Sequence, residues 1–164
     1  MLLTASLSAA LPLSAASHVD VVKMRTENRV NPLGIGTSTP RFSWQITSDR
    51  KGVVQTSYQI LVASSREKLD RNEADLWDSG ERNSDEQLWI PYQGKALLSG
   101  AQAYWKVRIT TNKGKSEWTE PQLFTIGLLG ETKWSGTWIG LEDLQPGEQK
   151  GMHTRLAARY IRKD

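Results

Sequence analysis

The stretch AYWKVRITTNKGKSEWTEPQLFTI, residues 103–126, predicts the fold of this chain. In its first half Trp105, Val107 and Ile109 alternate with polar side chains, which is typical of a half-buried antiparallel strand. The run from Asn112 to Gly114 then supplies residues that tolerate a positive φ, and an apolar strand resumes beyond it. The stretch is therefore predicted to form a β-hairpin.

Further short strands are predicted between residues 20 and 127, separated by turn residues. Alternating apolar side chains mark them near residues 19–23, 41–46, 58–62, 76–77 and 87–92. In the last of these, Leu88 and Ile90 are expected to share a face, with Trp89 opposite. A turn or short helix is predicted at residues 65–72, with Ser65 as its N-cap.

This spacing predicts an all-β fold. About seven short strands over roughly 100 residues are typical of an immunoglobulin/fibronectin-III-like antiparallel β-sandwich, here with a C-terminal extension. Trp44, on the second strand, is expected in the core together with Trp105. Ala103 occupies a place at which fibronectin-type strands commonly carry a tyrosine, which argues against a tyrosine-corner hydrogen bond.

Composition excludes several classes of function. The chain has 164 residues and a net charge of +3, and its basic residues are spread among acidic ones except at the very end, so a nucleic-acid partner is not expected. It has no cysteine, so neither a disulfide framework nor a thiolate site is available. Packing alone must stabilise the fold.

The first residues predict export. MLLTASLSAALPLSAAS, residues 1–17, is apolar and rich in small residues, and it ends in a sequence that a signal peptidase accepts, although a basic n-region is missing. The run is too short to span a membrane. The predicted organisation is a signal peptide at 1–17, a β-sandwich at 18–127, and a linker with the first strand of a following β-domain at 128–164. The predicted location is therefore periplasmic, cell-surface or extracellular.

Four ordered motifs resemble one family. They are NPLGIGTSTPRFSWQI (31–46), QTSYQILVASS (55–65), ADLWDSGE (74–81) and YWKVRITTNKGKSEWTEP (104–121). Together they are similar to the N-terminal fibronectin-III-like module of bacterial α-L-rhamnosidases, and the resemblance covers nearly all of residues 20–140. Two later pieces, WSGTWIG (134–140) and RLAARYIRKD (155–164), resemble the linker and the next strand of that family.

The resemblance implies a longer enzyme, of which this chain is the front end. Such an enzyme hydrolyses terminal α-L-rhamnosides with inversion, through carboxylates of a downstream (α/α)6 barrel. No residue of this chain matches those catalytic motifs. The acidic pairs Asp75 with Asp78, and Asp85 with Glu86, lie in predicted turns, where capping is the better explanation.

Cofactor and metal sites are not expected either. Gly34 and Gly36 form a G-x-G, but no helix follows and the third glycine of a dinucleotide motif is absent. His18 and His153 have no partners at ligand spacing.

The tryptophans allow two interpretations. Trp77, Trp89 and Trp118 are predicted at turns or opposite the core, where indole rings could stack on sugars. Structural packing or domain docking is the favoured alternative, with Trp118 lying over Arg108 or Lys106 across the hairpin. Three functions follow: an accessory domain whose outer hairpin face docks on downstream domains of the same polypeptide, a carbohydrate-binding module, or an adhesive protein-interaction sandwich.

Overall fold

The computed structural model describes residues 19–130, which form nine strands and one short helix. In chain order the elements are β1 (Val19–Thr26), β2 (Arg41–Ser48), β3 (Gln55–Ala63), α1 (Arg66–Asp70), β4 (Trp77–Asp78), β5 (Arg82–Asn83), β6 (Ile90–Pro91), β7 (Gln102–Thr111), β8 (Gly114–Lys115) and β9 (Gln122–Thr125). The predicted signal peptide and nearly all of the predicted C-terminal extension lie outside the described residues.

The strands form two antiparallel sheets, as the sequence predicts. One sheet has the order β1-β2-β6; in the other, β4-β3-β7-β8 form a path, with β5 also pairing with β3 and β9 with β7. The longest pairing joins β3 to β7, from Gln55 opposite Thr111 to Ala63 opposite Tyr104. The strand count exceeds the predicted seven because several strands are only two residues long.

The predicted hairpin is confirmed, but its second strand is interrupted and forms two separate strands, β8 and β9. β7 pairs with β8 directly after the turn and with β9 near its own first residues. Between these pairings the chain stays close to β7, because the Ser116 amide donates to the Ile109 carbonyl and the Thr119 amide to the Val107 carbonyl, at 2.9 and 3.0 Å. The hairpin therefore closes one edge of the larger sheet.

The core lies between the two sheets and is built from the alternating residues. Trp105, Val107 and Ile109 are fully buried, and Phe42 lies with its ring centroid 4.4 Å from that of Trp105. Trp44 is 1% exposed, as predicted. Apolar side chains from both sheets therefore remove a large surface from water, which is the main stabilising contribution to such a fold.

One polar side chain within this core is fully used in hydrogen bonds. Gln55 accepts a 3.0 Å hydrogen bond from the Trp44 indole and donates to the carbonyls of Ser84 and Glu86, at 3.0 and 2.9 Å. A buried amide without partners would be costly. Gln55 therefore fixes the loop that precedes β6 against the core.

Trp77 differs from its prediction. The sequence places Trp77 on an outer surface, but the residue is buried, with 9% exposure. Its ring centroid lies 6.3 Å from that of Phe42 and 5.4 Å from that of Tyr92. β4 pairs with β3 at this point, with Trp77 opposite Val62, so its side chain faces the core. The short polar segment around Trp77 hides this periodicity in the sequence.

The predicted strand at 87–92 is also shorter than expected. Only Ile90–Pro91 pairs with β2 as a strand, and Leu88 is 65% exposed while Ile90 is buried. Ile90 lies opposite Phe42, whereas the Trp44 amide donates to the Gln87 carbonyl. Gln87 is three residues before Ile90, whereas Trp44 is only two residues after Phe42. The segment before β6 therefore carries one extra residue, which is the geometry of a β-bulge. The bulge moves Leu88 out of alternation with Ile90, whereas Trp89 is exposed, as predicted.

The short helix covers part of the outer face of the larger sheet. Ser65 is its N-cap, as predicted, since its hydroxyl accepts from the Lys68 amide. Leu69 is fully buried and packs with Leu61 and Ala63 in a second apolar cluster. The outer face of the hairpin is consequently less open than the alternation predicts.

Gly94→Ala should destabilise the protein by about 2 kcal/mol or more, because overpacking has no space to relax into here. A Cβ at Gly94 would lie 2.5 Å from the Leu76 carbonyl oxygen and 2.6 Å from the Tyr92 hydroxyl, and would also collide with the Cβ of Trp77. Thermal unfolding measures the change. Gly36→Ala is the matched control, since nothing lies within 4 Å of its Cβ position; equal melting temperatures for the two variants would contradict the prediction.

Candidate functional site

Trp118 covers two cations on the outer face of the larger sheet. Its ring centroid lies 4.4 Å from the Arg108 guanidinium carbon and 5.1 Å from Lys106 Nζ. The predicted placement of Trp118 over these residues is confirmed. Because Trp118 is half-buried and packs on the cluster under α1, the contact combines cation–π attraction with apolar burial.

Lys106 is nearly buried, which the alternation of β7 does not predict. It is 5% exposed, and its ammonium group donates to the Leu69 carbonyl and to the Asn72 side-chain oxygen. Leu69 belongs to the last turn of α1, and its carbonyl also accepts from the Asn72 amide at 2.9 Å. Burial lowers the pKa of Lys106. The lysine therefore acts as a structural cap for α1 rather than as a solvent-exposed charge.

Polar side chains beside Trp118 form a connected row. Arg108 donates to Gln59 at 2.8 Å, and Gln59 donates to Asp78 at 2.9 Å. Asp78 also accepts from the Gly80 amide at 2.8 Å, within a turn where Gly80 has a φ of 61°. The Asp78 carboxylate thus accepts hydrogen bonds from the Gly80 amide and from Gln59. This agrees with the prediction that Asp78 has a structural role.

Asp75 has the same kind of role. It accepts from the amide and hydroxyl of Ser64 and from Lys68 Nζ, the last at 2.6 Å. Burial acts to raise the pKa of Asp75, but the hydrogen bonds from Lys68 and Ser64 together outweigh burial and lower it to about 2. A carboxyl with this pKa remains ionised and is poorly suited to donate a proton to a leaving group.

Trp89 is the most exposed of the three tryptophans predicted as surface residues. Trp89 is 47% exposed, and the guanidinium carbon of Arg41 lies 4.2 Å from its ring centroid. Arg41 in turn donates from Nε and from its terminal nitrogen to both carboxylate oxygens of Glu27, at 3.0 and 2.8 Å. The hydrogen bond from Arg41 lowers the pKa of Glu27. The sequence gives no signal for this pair, since Glu27 and Arg41 lie on different segments.

An open cleft of about 490 Å³ adjoins the edge of the smaller sheet near the bulge. Its lining combines apolar and polar side chains: Gln45, Ile46, Val53, Val54, Gln55, Asp85 and Gln87. Of the acidic pair predicted at turns here, Asp85 lines the cleft, and the Glu86 amide donates to the Ser84 hydroxyl at 3.1 Å. The two residues lie in the irregular segment between β5 and β6 rather than in a regular turn.

Within residues 19–130 there is no cluster of three or more His, Cys, Asp or Glu side chains that could hold a metal ion. The same part of the chain has no helix long and apolar enough to cross a bilayer. Gly34 has a φ of 71°, and its amide donates to the Thr125 hydroxyl, so it serves a turn. His18 and His153 lie outside the described residues.

Comparison with known proteins decides the family. Residues 21–130 match the model of the Rha78A-like N-terminal immunoglobulin domain. The chain belongs to this family. The resemblance drawn from the sequence motifs is thereby confirmed, as is the sandwich fold.

Relatives of this immunoglobulin domain are parts of much longer proteins. An alpha-L-rhamnosidase of Formosa agariphila is 39% identical over 127 residues, which are 76% of this chain and 13% of that protein. Another, from Streptomyces avermitilis, is 39% identical over 124 residues, or 75% of this chain and 12% of that protein. The chain therefore spans only about an eighth of the curated relatives it matches.

Solved structures give the same result. The crystal structure of Streptomyces avermitilis alpha-L-rhamnosidase complexed with L-rhamnose matches with a TM-score of 0.69 at 36% identity, covering 75% of this chain and 12% of that chain. The structure of alpha-L-rhamnosidase from Dictyoglumus thermophilum matches with a TM-score of 0.68 at 35% identity, covering 75% and 14%. The immunoglobulin domain is thus one part of a larger rhamnosidase polypeptide in these relatives.

Trp118→Ala should lower the stability of the domain by about 1–2 kcal/mol, because it removes a partly desolvated cation–π contact and uncovers the cluster below it. Trp118→Phe should recover part of the loss. The melting temperature provides the measurement. An unchanged melting curve for Trp118→Ala, accompanied by lost glycan binding, would contradict the structural role.

Acid should reveal the contribution of Asp75. Its folded pKa of about 2 lies below its ordinary value of 3.8, so it stabilises the fold above pH 4 and this contribution is lost as the pH falls towards 2. About a third of the side chain is exposed, so solvent screening reduces the contribution to about 1 kcal/mol. Urea unfolding of Asp75→Asn should therefore depend less on pH between 4 and 2 than that of the wild type.

Lys68→Met provides a check on the same interaction. It should weaken the acid dependence as Asp75→Asn does, because it removes the ion pair from the other side. Parallel acid profiles for wild type and both variants would show that Asp75 is not the group responsible.

Proposed function

We propose that this domain is a non-catalytic N-terminal scaffold of an α-L-rhamnosidase that hydrolyses terminal α-L-rhamnosides with inversion. The observation that carries the proposal is the match to relatives named alpha-L-rhamnosidase over 12–14% of their length, in a family described as an N-terminal immunoglobulin domain. Catalysis is assigned to a downstream (α/α)6 domain.

The use of acidic side chains in the described part supports this division. Inverting hydrolysis requires two carboxylates about 6.5–9.5 Å apart, one protonated and the other activating a water. Asp75 and Asp78 accept hydrogen bonds from neighbouring turns, and Glu81 accepts from Ser57 and Thr110. These three groups serve the fold, which supports a reacting pair elsewhere in the polypeptide.

The partner of the domain is then the remainder of the same polypeptide. Three leucines near the last described residues are candidates for the docking surface: Leu33, Leu98 and Leu128 are 73%, 72% and 59% exposed. Their segments are joined by hydrogen bonds, because the Gly127 amide donates to the Ile35 carbonyl and the Gly100 amide to the Ile126 carbonyl. Exposed apolar groups gathered in this way are typical of a surface that packs on another domain.

Export is part of the same proposal. The apolar, small-residue run at residues 1–17 supports a signal peptide, and the sandwich at 18–127 would then be followed by a linker and a further β-domain from residue 128. Edman sequencing of the secreted protein would give Ser17 or His18 as the first residue.

The activity of two polypeptides of different length tests the scaffold role. The 164-residue chain and a longer polypeptide that includes its natural downstream sequence are assayed on an aryl α-L-rhamnoside. Only the longer polypeptide should release the aryl group, because the catalytic carboxylates lie outside the short chain. The short chain added in trans to the remaining enzyme should bind it and protect it against thermal inactivation.

Other outcomes of this assay are equally informative. Hydrolysis by the short chain would show that its own carboxylates react. No hydrolysis by either polypeptide would remove the rhamnosidase assignment.

A further inference from the structure

In the described part of the chain, the second half of β2 has a neighbouring strand on one side only. β1 pairs with β2 as far as Ser48, whereas the pairs with β6 end at Phe42. The last hydrogen bond on the β6 side joins the Trp44 amide to the Gln87 carbonyl, at 3.0 Å. Beyond it, residues 45–48 form an open sheet edge among the described strands.

The backbone of Ile46 faces this open side. Backbone groups of successive strand residues point to opposite sides, so Ile46 takes the same side as Trp44, whose amide reaches the segment before β6. Ile46 lies opposite Val21 of β1, in a pair without mutual hydrogen bonds. Its N–H and C=O have no partner among residues 19–130. Edge groups of this kind are those to which a further strand bonds.

The cleft of about 490 Å³ described above lies along this edge. Gln45 and Ile46 of β2 line it together with Val53 and Val54, which come directly before β3 of the other sheet. Val53 and Ile46 pack against the core, and Val54 is 53% exposed. The cleft therefore combines an open backbone edge with apolar side chains, which an incoming strand with an apolar side chain would remove from water.

The cleft also contains polar side chains without partners. The Asp85 carboxylate and the side-chain amides of Gln45 and Gln87 make no hydrogen bond or ion pair with any other described residue. The Gln55 side chain, by contrast, is fully used in the core. An unpaired carboxylate beside an open strand edge favours a partner that carries a basic side chain.

The two outer edges of the smaller sheet differ in how they are protected. On the β1 edge, a bulge between Val22 and Arg25 places Lys23 at a φ of 49°, with its side chain exposed. Bulges and lysines on an edge strand oppose pairing with further strands. Residues 45–48 are Gln, Ile, Thr and Ser, without a charge, a proline or a bulge. We therefore expect another segment to cover this edge.

The remainder of the same polypeptide is the source of such a segment. The relatives are about eight times longer than this domain, and the proposed function places the domain in a polypeptide of that kind. The described part ends at Gly130, at the end of the sandwich where β9 meets the first residues of β7, and the cleft lies at the other end. Length is no obstacle, because residues 131–164 can extend over roughly 110 Å, whereas β7 is about 33 Å long.

We propose that an extended segment of the polypeptide beyond residue 164 adds to β2 as a further strand of the smaller sheet. Its backbone accepts a hydrogen bond from the Ile46 amide and donates one to the Ile46 carbonyl. One apolar side chain packs on Val53 and Val54, and one basic side chain pairs with Asp85. The origin of the segment rests on the proposed function, whereas the open edge rests on the geometry alone.

The lining of the cleft favours a strand over a sugar. It contains no aromatic ring on which a pyranose could stack, since Trp89 lies over Arg41 and is not part of the lining. A backbone N–H and C=O that face the same side instead match the groups along the edge of another strand.

Amide hydrogen exchange in the 164-residue chain and in the longer polypeptide tests the added strand. NMR resolves single amides in the first, and fragmentation mass spectrometry resolves them in the second. The Ile46 amide should exchange at least tenfold more slowly in the longer polypeptide, because the added strand accepts its hydrogen bond. The Trp44 amide is the internal control and should exchange slowly in both, since it bonds to Gln87. Equal exchange of the Ile46 amide in both polypeptides would overturn the proposal.

Ile46→Pro separates strand addition from simple burial. Proline removes the amide that faces the cleft but no hydrogen bond to β1, and proline is tolerated where the missing amide points away from the ladder. Ile46→Val is the matched control, because it keeps that amide. The melting temperature should differ between these two variants by more in the longer polypeptide than in the 164-residue chain; an equal difference would contradict the added strand.

Asp85→Lys provides a test that leaves β2 unchanged. It should speed exchange of the Ile46 amide in the longer polypeptide, because the basic side chain of the added strand is then repelled. In the 164-residue chain the same substitution should have no effect on this amide. Unchanged exchange in the longer polypeptide would remove the basic side chain from the proposal.

Two other occupants of the edge give different results, and either would overturn the proposal. Slower exchange of Ile46 in the 164-residue chain as its concentration rises would assign the edge to a second copy. Slower exchange on addition of an α-linked L-rhamnan would assign the cleft to a sugar.

Aryl α-L-rhamnosidase activity distinguishes a failure of the added strand from a failure of the proposed function. An active longer polypeptide in which the Ile46 amide exchanges as fast as in the 164-residue chain would refute the added strand alone. A longer polypeptide that protects this amide but has no rhamnosidase activity would refute the rhamnosidase assignment alone.

Discussion

The packing of Phe42 between the two sheets is the contact on which the rest of the structure depends. Phe42 lies on the smaller sheet, yet its ring meets Trp77, Trp105 and Phe124 of the larger one, at centroid distances of 6.3, 4.4 and 5.8 Å. No disulfide assists this contact, because the sequence has no cysteine. Buried aromatic surface therefore supplies the association of the sheets, and the loops at the edges are positioned by it.

The same pairing of a tryptophan with a cation occurs on both outer faces, with different consequences. On the larger sheet, Trp118 covers Lys106 and Arg108 and is partly enclosed by α1. On the smaller sheet, Trp89 covers Arg41 but remains exposed. Enclosure makes the first contact part of the fold, whereas the second remains on the protein surface.

The described part of the chain thus combines a well-specified scaffold with carboxylates that serve turns. Relatives that contain this domain are about eight times longer than the domain, which is one part of them. Sandwich domains support unrelated functions, and function depends on particular side chains.

The class of fold, the hairpin, the cap at Ser65 and the burial of Trp44 and Trp105 can be predicted from the sequence. They follow from local alternation and turn chemistry, which act over a few residues. The family also followed from ordered motifs. Features that depend on contacts between distant segments could not be predicted and are seen only in the folded domain. Trp77 is buried because β4 pairs with β3, and Leu88 is exposed because a bulge opposite β2 breaks its alternation with Ile90.

The burial of Lys106 and the pairing of Glu27 with Arg41 could not be predicted from the sequence either. Lys106 alternates with core residues, which predicts an exposed side chain, but α1 covers it and its ammonium group caps that helix. The support of Trp89 requires Glu27 and Arg41, which approach each other only once β1 and β2 are paired. Local periodicity predicts on which face of a strand a side chain lies. The elements that cover that face are remote in sequence, so their packing determines whether the side chain is buried.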